Sequence, residues 1–121
     1  MKKVRVLHIE DNKNYAEALS NLLEKYDIIN VSTGSKAIEI LKNENDFQII
    51  ICDCKLPDIL GFDLIKKIKE ITNIPIIANS SDIENCKKMV CYGANIFLEK
   101  IFNDYKHDIE IWINVIDNLT N

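Results

Sequence analysis

Three carboxylates mark the chemistry available to this sequence. Asp53 closes the apolar run Phe47-Gln48-Ile49-Ile50-Ile51-Cys52, and Glu10 and Asp11 close the run from Val4 to Ile9. A short β-branched run stopped by a turn reads as a buried strand of a parallel sheet, and Cys54-Lys55-Leu56-Pro57-Asp58-Ile59-Leu60-Gly61 supplies the turn. Open α/β sheets place their chemistry at the carboxyl ends of the strands. Both acidic clusters are therefore expected at one sheet edge, where they repel each other. A hard divalent cation is the usual reason for a fold to tolerate that.

The elements that position these groups alternate strictly. Strands are expected at 4–9, 27–31, 47–52, 74–79 and 95–99. The first helix shows an apolar stripe of Tyr15, Ala18, Leu19, Leu22, Leu23 and Tyr26, at the spacing of one helix face. Ala37, Ile38 and Leu41 repeat it in the second helix, and Phe62, Ile65 and Ile68 in the third. A fourth, less regular helix over about 83–92 ends at Gly93, a natural C-cap. The fifth is expected from about Asn103 to Asn118, with Ile109, Trp112, Ile113 and Ile116 facing inward. Five βα units with short connections specify an α/β fold, a doubly wound parallel sheet with helices on both faces.

Composition narrows the class. The 121 residues suffice for one core, so residues 1–121 are expected to form a single domain with no attached output domain. Net charge is −4 with no basic stripe, which argues against direct nucleic-acid binding. No apolar run reaches membrane-spanning length, and Met1-Lys2-Lys3 leads into a strand, so a cytoplasmic location is expected. The four cysteines form no C-x-x-C pair and no zinc spacing. They read as small apolar residues kept reduced.

Taken in order, Glu10-Asp11 after the first strand, Asp53 after the third with Pro57 four residues on, Ser80 after the fourth and Lys100 after the fifth resemble the receiver domain of bacterial two-component response regulators. Val31-Ser32-Thr33-Gly34-Ser35-Lys36-Ala37, Pro75-Ile76-Ile77-Ala78-Asn79-Ser80-Ser81 and Gly93-Ala94-Asn95-Ile96-Phe97-Leu98-Glu99-Lys100 add to the likeness, which covers essentially the whole chain. The resemblance implies a flavodoxin-like sheet of strand order 2-1-3-4-5. It implies a phosphoacceptor switch of a phosphorelay, in which Asp53 accepts a phosphoryl group from a phosphohistidine. Asp11, Asp53 and the Lys55 backbone carbonyl would ligate Mg²⁺, with Glu10 holding a metal-bound water. Lys100 and Ser80 would contact phosphoryl oxygens, and Phe97 would move with Ser80. Implied partners are a sensor histidine kinase or histidine phosphotransfer protein. A downstream protein, or a second copy, would bind through the fourth helix, fifth strand and fifth helix. Such a domain catalyses its own phosphorylation and dephosphorylation without being an enzyme on a separate substrate.

Plainer readings stand beside these. Glu10 and Asp11 also fit acids on the dipole of the first helix, and Ser80 or Ser81 fits the N-cap of the fourth. Lys100 fits a solvated lysine, Phe97 an ordinary strand aromatic, and His8 a satisfied core histidine. Thr33-Gly34-Ser35-Lys36 follows the second strand and lacks the glycines of a phosphate loop. The alternative function is a phosphorylation-independent binding module of the same fold. A flavin-binding reading lacks a phosphate loop after Asp11. Three departures bear on kinetics, one of them Leu60 before Gly61, where receivers commonly carry an acid. Lys55 overhangs the site, where it would pair with a phosphoryl oxygen or with Glu10, and Ile101 stands where receivers usually carry proline. A cis bond before a non-proline residue costs about 2.5–4 kcal/mol, so Lys100–Ile101 is expected to be trans, with Phe102 packed in the place of the proline ring.

Overall fold

The first, third and fifth strands stop one residue short of a polar side chain that the site uses, Glu10, Asp53 and Lys100. A computed structural model describes residues 3–100 and 104–121. Its elements are β1 (Arg5–Ile9), α1 (Lys13–Leu22), β2 (Asp27–Val31), α2 (Gly34–Asn43), β3 (Ile49–Cys52), α3 (Gly61–Ile71), β4 (Ile76–Ser80), α4 (Ile83–Cys91), β5 (Ile96–Glu99) and α5 (Tyr105–Thr120). The strands pair in parallel in the order β2-β1-β3-β4-β5, the doubly wound topology expected. Ser80 is the last residue of β4 rather than the first beyond it. The expected helix start at Asn103, the Lys100–Ile101 bond and Phe102 lie outside the described residues.

Alternation along the strands builds two cores. Leu7, Ile9, Ile50, Cys52, Ile76 and Ala78 face one cluster, which α2, α3 and α4 complete through Ala37, Leu41, Leu64, Ile65, Ile68 and Met89. Val6, Ile49, Ile51 and Ile77 face the other, closed by Leu19 and Leu22 of α1 and by Trp112 and Ile116 of α5. Successive side chains of a strand point to opposite faces, so both layers come from the same four-to-five-residue runs.

Two expectations about helices need correction. Ala16, not Ala18, is the small buried residue of α1, because the apolar stripe turns with the 3.6-residue period and Ala18 falls off it. The N-cap of α4 is Asp82, whose carboxylate accepts from the Asn85 N–H at 3.2 Å; neither Ser80 nor Ser81 fills that place. The end of α4 is as expected. Gly93 has φ of +129°, a conformation open to glycine at little cost.

Candidate functional site

The site residues are held by the sheet ladder itself. Glu10, Asp53 and Lys100 each lie one residue past a strand, yet their N–H groups still bond the neighbouring strand. Glu10 donates to the Val31 carbonyl at 2.9 Å, Asp53 to Ile9 at 3.1 Å and Lys100 to Ser80 at 3.0 Å. The backbones of three site residues are thereby fixed, with side chains free to converge on the edge.

The loop after Asp53 is tied as tightly. The Gly61 N–H reaches the Cys54 carbonyl at 2.7 Å, and the Leu56 N–H reaches Ile59 at 3.1 Å. A Cβ on Gly61 would meet the Asp53 carbonyl oxygen at 2.5 Å, so a glycine lets the start of α3 press against the acidic strand end. Asp58 anchors the far side, its two carboxylate oxygens accepting the Gly34 and Ser35 N–H groups at 2.9 Å each. Those bonds hold the Asp58 carboxyl below its ordinary pKa. An internal carboxylate thus takes the N-terminus of α2, where a phosphate cradle would have needed free N–H groups. A hollow of about 500 Å³ between α2 and α3 includes Asp58, but that acid is already engaged.

At the centre, Lys100 lies between two carboxylates. Its Nζ is 2.6 Å from Glu10 Oε1 and 3.3 Å from Asp53 Oδ1. Asp53 Oδ1 also accepts the Cys54 N–H at 2.8 Å, and Glu10 Oε2 accepts the Asn12 N–H at 3.1 Å. Burial works against the ammonium, but Glu10 and Asp53 outweigh it and hold the Lys100 pKa above its ordinary value. Burial pushes Glu10 up as well, opposed in part by Lys100 and the Asn12 N–H. Glu10 and Asp53 are buried, while Asp11 is exposed. Ligand oxygens of Glu10, Asp11 and Asp53 lie within 4.8 Å of one another, so the expected acidic cluster forms. These hard oxygen donors fit a divalent cation such as Mg²⁺.

The remaining sequence candidates divide. Ser80 lines the same cleft, of about 440 Å³, with Asp11, Lys55 and Lys100. Lys55 is exposed, and the Glu10 carboxylate pairs with Lys100 rather than with Lys55. Phe97 is half-buried against the α2–α4 core, one strand over from Ala78. His8 is buried, but its Nδ1 has no hydrogen-bond partner among the described residues. It is therefore not the satisfied histidine expected, and burial followed by the Lys100 charge lowers its pKa to about 4.

Sequence reading missed three supports. Tyr15, taken as a stripe residue, places its ring 4.6 Å beneath the Lys100 ammonium and donates from its hydroxyl to Asn79 Oδ1 at 2.6 Å. Asn79 in turn donates to the Leu98 carbonyl at 2.8 Å. An asparagine inside the apolar run of β4 was the signal available for that pair. Cys54, taken as an apolar filler, has its Sγ 2.8 Å from Ser80 Oγ.

Comparison with known proteins agrees with this geometry. A family model of the response regulator receiver domain matches residues 6–108. The two-component response regulator ORR3 of Oryza sativa subsp. indica is 33% identical over 102 residues, covering 78% of this chain and 78% of its own. ARR12 of Arabidopsis thaliana is 32% identical over 102 residues, covering 80% of this chain but 17% of the longer relative. These relatives are plant proteins, so the likeness extends beyond bacteria. Among solved structures, the receiver domain of the sensor histidine kinase PA1611 from Pseudomonas aeruginosa PAO1, with a magnesium ion coordinated in its active-site cleft, superposes with a TM-score of 0.82 at 23% identity over 99% of this chain and 98% of its own. A CheY-like receiver domain from Methanospirillum hungatei gives 0.81 at 22% identity, over 98% and 97%. Both show a common fold.

Proposed function

The chain belongs to the response regulator receiver family, and from that premise we propose that it is a phosphoacceptor signalling switch with Asp53 as the acceptor. The observation that carries this reading is the Lys100 ammonium 3.3 Å from Asp53 Oδ1 beside the clustered oxygens of Glu10 and Asp11. Phosphoryl transfer needs positioning and charge neutralisation more than covalent machinery. An Asp53 oxygen attacks phosphorus in line, the P–N bond of a phosphohistidine breaks, and the imidazole leaves with that electron pair. The product is an acyl phosphate. Lys100, already a cation between two acids, turns to the new phosphoryl oxygens, and the Cys54 N–H keeps the carboxylate oriented. Ser80 donates to another phosphoryl oxygen.

Asp11, Asp53 and the Lys55 carbonyl would hold Mg²⁺, with Glu10 acting through water. The ion supplies neutralisation of phosphoryl charge. The magnesium in the cleft of the Pseudomonas receiver supports this choice of metal. Donor partners are a sensor histidine kinase or a histidine phosphotransfer protein, in a cytoplasmic setting; no described helix is long and apolar enough to cross a membrane. The output face is assigned to α4, β5 and α5. Lys87, Lys88, Asp104 and Tyr105 are exposed there beside half-buried Phe97 and Glu99. A partner or a second copy binds that face once Ser80 and Phe97 have moved.

Acetyl phosphate with Mg²⁺ should add one phosphoryl group to the protein by intact mass, and Asp53→Asn should add none while melting normally. Equal labelling of the two would exclude Asp53 as the acceptor. No labelling of either, from any donor, would leave the phosphorylation-independent binding module.

A further inference from the structure

We propose that Cys54 is a positioning residue that holds the Ser80 hydroxyl in the unphosphorylated state and sets how readily it turns to the phosphoryl group. This rests on the phosphoacceptor reading of Asp53. Cys54 touches both groups at once: its N–H donates to Asp53 Oδ1 at 2.8 Å, and its thiol lies 2.8 Å from Ser80 Oγ. A serine hydroxyl has one proton and two lone pairs. One lone pair takes the Asp82 N–H at 3.1 Å. The thiol takes one of the two places that remain, either by accepting the hydroxyl proton or by donating to the second lone pair. Packing alone accounts for the burial of Cys54 among Leu56, Met89 and their neighbours, but it does not call for a polar contact with the Ser80 hydroxyl, which belongs to the same cleft as Asp53.

The consequence follows from partner strength. Sulfur is a weak donor and a weak acceptor, whereas a phosphoryl oxygen is a charged acceptor and bonds about twice as strongly as a neutral one. Ser80 thus has a resting partner that it leaves at small cost when Asp53 is modified. A stronger partner at position 54 would hold Ser80 back, and no partner would release it. The thiol is therefore a tuning element of the switch rather than a group that touches the reacting atoms.

Beryllofluoride with Mg²⁺, a phosphoryl mimic on Asp53, provides the probe, with affinity read by ¹⁹F NMR titration. Cys54→Ala removes the resting bond and should tighten beryllofluoride binding about twofold to threefold, the low end for one neutral hydrogen bond because sulfur is a weak partner. Cys54→Ser restores a partner and should return the affinity to the wild-type value or below it. In a Ser80→Ala background, Cys54→Ala should change the affinity by less than about twofold, because the thiol then has nothing to hold. Should Cys54→Ala not fold, Cys54→Val removes the thiol while filling its space and carries the same expectation. Unchanged or weaker binding by the apolar variants, or an equal gain with and without Ser80, would overturn the inference while leaving Asp53 as acceptor. Failure of the wild type to bind beryllofluoride would instead overturn the phosphoacceptor reading and this inference together.

Discussion

The two ends of β1 carry the same kind of cluster, one cation among several acids, and fold it into opposite situations. At the amino end, Arg5 bonds Glu44 at 2.9 Å and Asp46 at 2.6 Å, approaches Asp27 at 3.5 Å, and lies 4.6 Å over the Phe47 ring. Its partners are 40–63% exposed. Past the carboxyl end, Lys100 lies between Glu10 and Asp53, which are 1% and 10% exposed. Water screens the first cluster, so its ion pairs contribute little and weaken in salt. The second is largely withdrawn from solvent, and each of its charges depends on the others. One end of the strand is a solvated cluster beside a packed ring; the other holds buried carboxylates whose mutual repulsion is offset by Lys100.

The largest test of this contrast removes the cation from each end. Lys100→Met leaves Glu10 and Asp53 buried without a counter-charge and should cost about 3–5 kcal/mol in metal-free buffer. Arg5→Met, which keeps the apolar stem over Phe47, should cost a small fraction of that by urea denaturation. Under the proposed function, divalent cations stabilise the fold by mass action, reaching about 2.7 kcal/mol at a hundredfold excess over Kd. Millimolar Mg²⁺ should therefore restore more stability to Lys100→Met than it adds to the wild type, and Asp11→Ala should lose most of the Mg²⁺ response. Equal costs at the two ends would break the comparison.

A smaller test uses His8, buried in β1 beside the site. Its pKa is about 4 in the fold against about 6.5 unfolded. The unfolded chain thus takes up a proton first as pH falls. The contribution of neutral His8 is complete above about pH 6.5 and is lost progressively down to and below pH 4, by about 3.4 kcal/mol at most at 1.36 kcal/mol per unit. Glu10, raised by burial, works in the opposite direction over acid pH, so the His8 effect is read as a difference between proteins. Wild type should lose more stability than His8→Leu between pH 6.5 and 4; parallel curves would show that His8 keeps a partner when protonated.

How far such effects could be anticipated depends on the range of the interaction. Glu10, Asp11 and Asp53 were legible because they close apolar runs and strand ends of a doubly wound sheet share an edge, while Ser80 and Lys100 came with the family resemblance. Alternation of strands and helices gave the doubly wound sheet, while the strand order came with the family resemblance. Neither could rank partners at that edge, where Glu10 rather than Asp53 is Lys100's nearer carboxylate, at 2.6 Å against 3.3 Å. Contacts between distant segments were hidden for the same reason: Tyr15 with Asn79, Cys54 with Ser80, and Arg5 with acids 39 and 41 residues away. Each joins side chains whose meeting depends on rotamers, which periodicity does not encode. The N-cap of α4 was misplaced by two or fewer residues because Ser80, Ser81 and Asp82 are all competent caps.

The smallest expected effect belongs to Asp58, which is exposed like the Arg5 end yet bonded as specifically as the Lys100 end. Its carboxylate takes two N–H groups at the start of α2, and those bonds depress its pKa. A depressed acid contributes stability above its unfolded pKa of about 3.9, and the contribution disappears as pH falls through the folded value. Solvent screens the charge, so the worth of Asp58 should resemble that of an ordinary helix cap, about 1 kcal/mol at neutral pH. Asp58→Ala should lower the urea midpoint modestly at pH 7 and by less at pH 3. It should also loosen the loop that runs back to Asp53, visible as faster amide exchange at Leu56 and Gly61, whose N–H groups close that loop. A stability loss that persists at pH 3 would show that the neutral carboxyl caps α2 as well as the ion does. Geometry rather than charge would then decide what a polar contact is worth at an exposed edge.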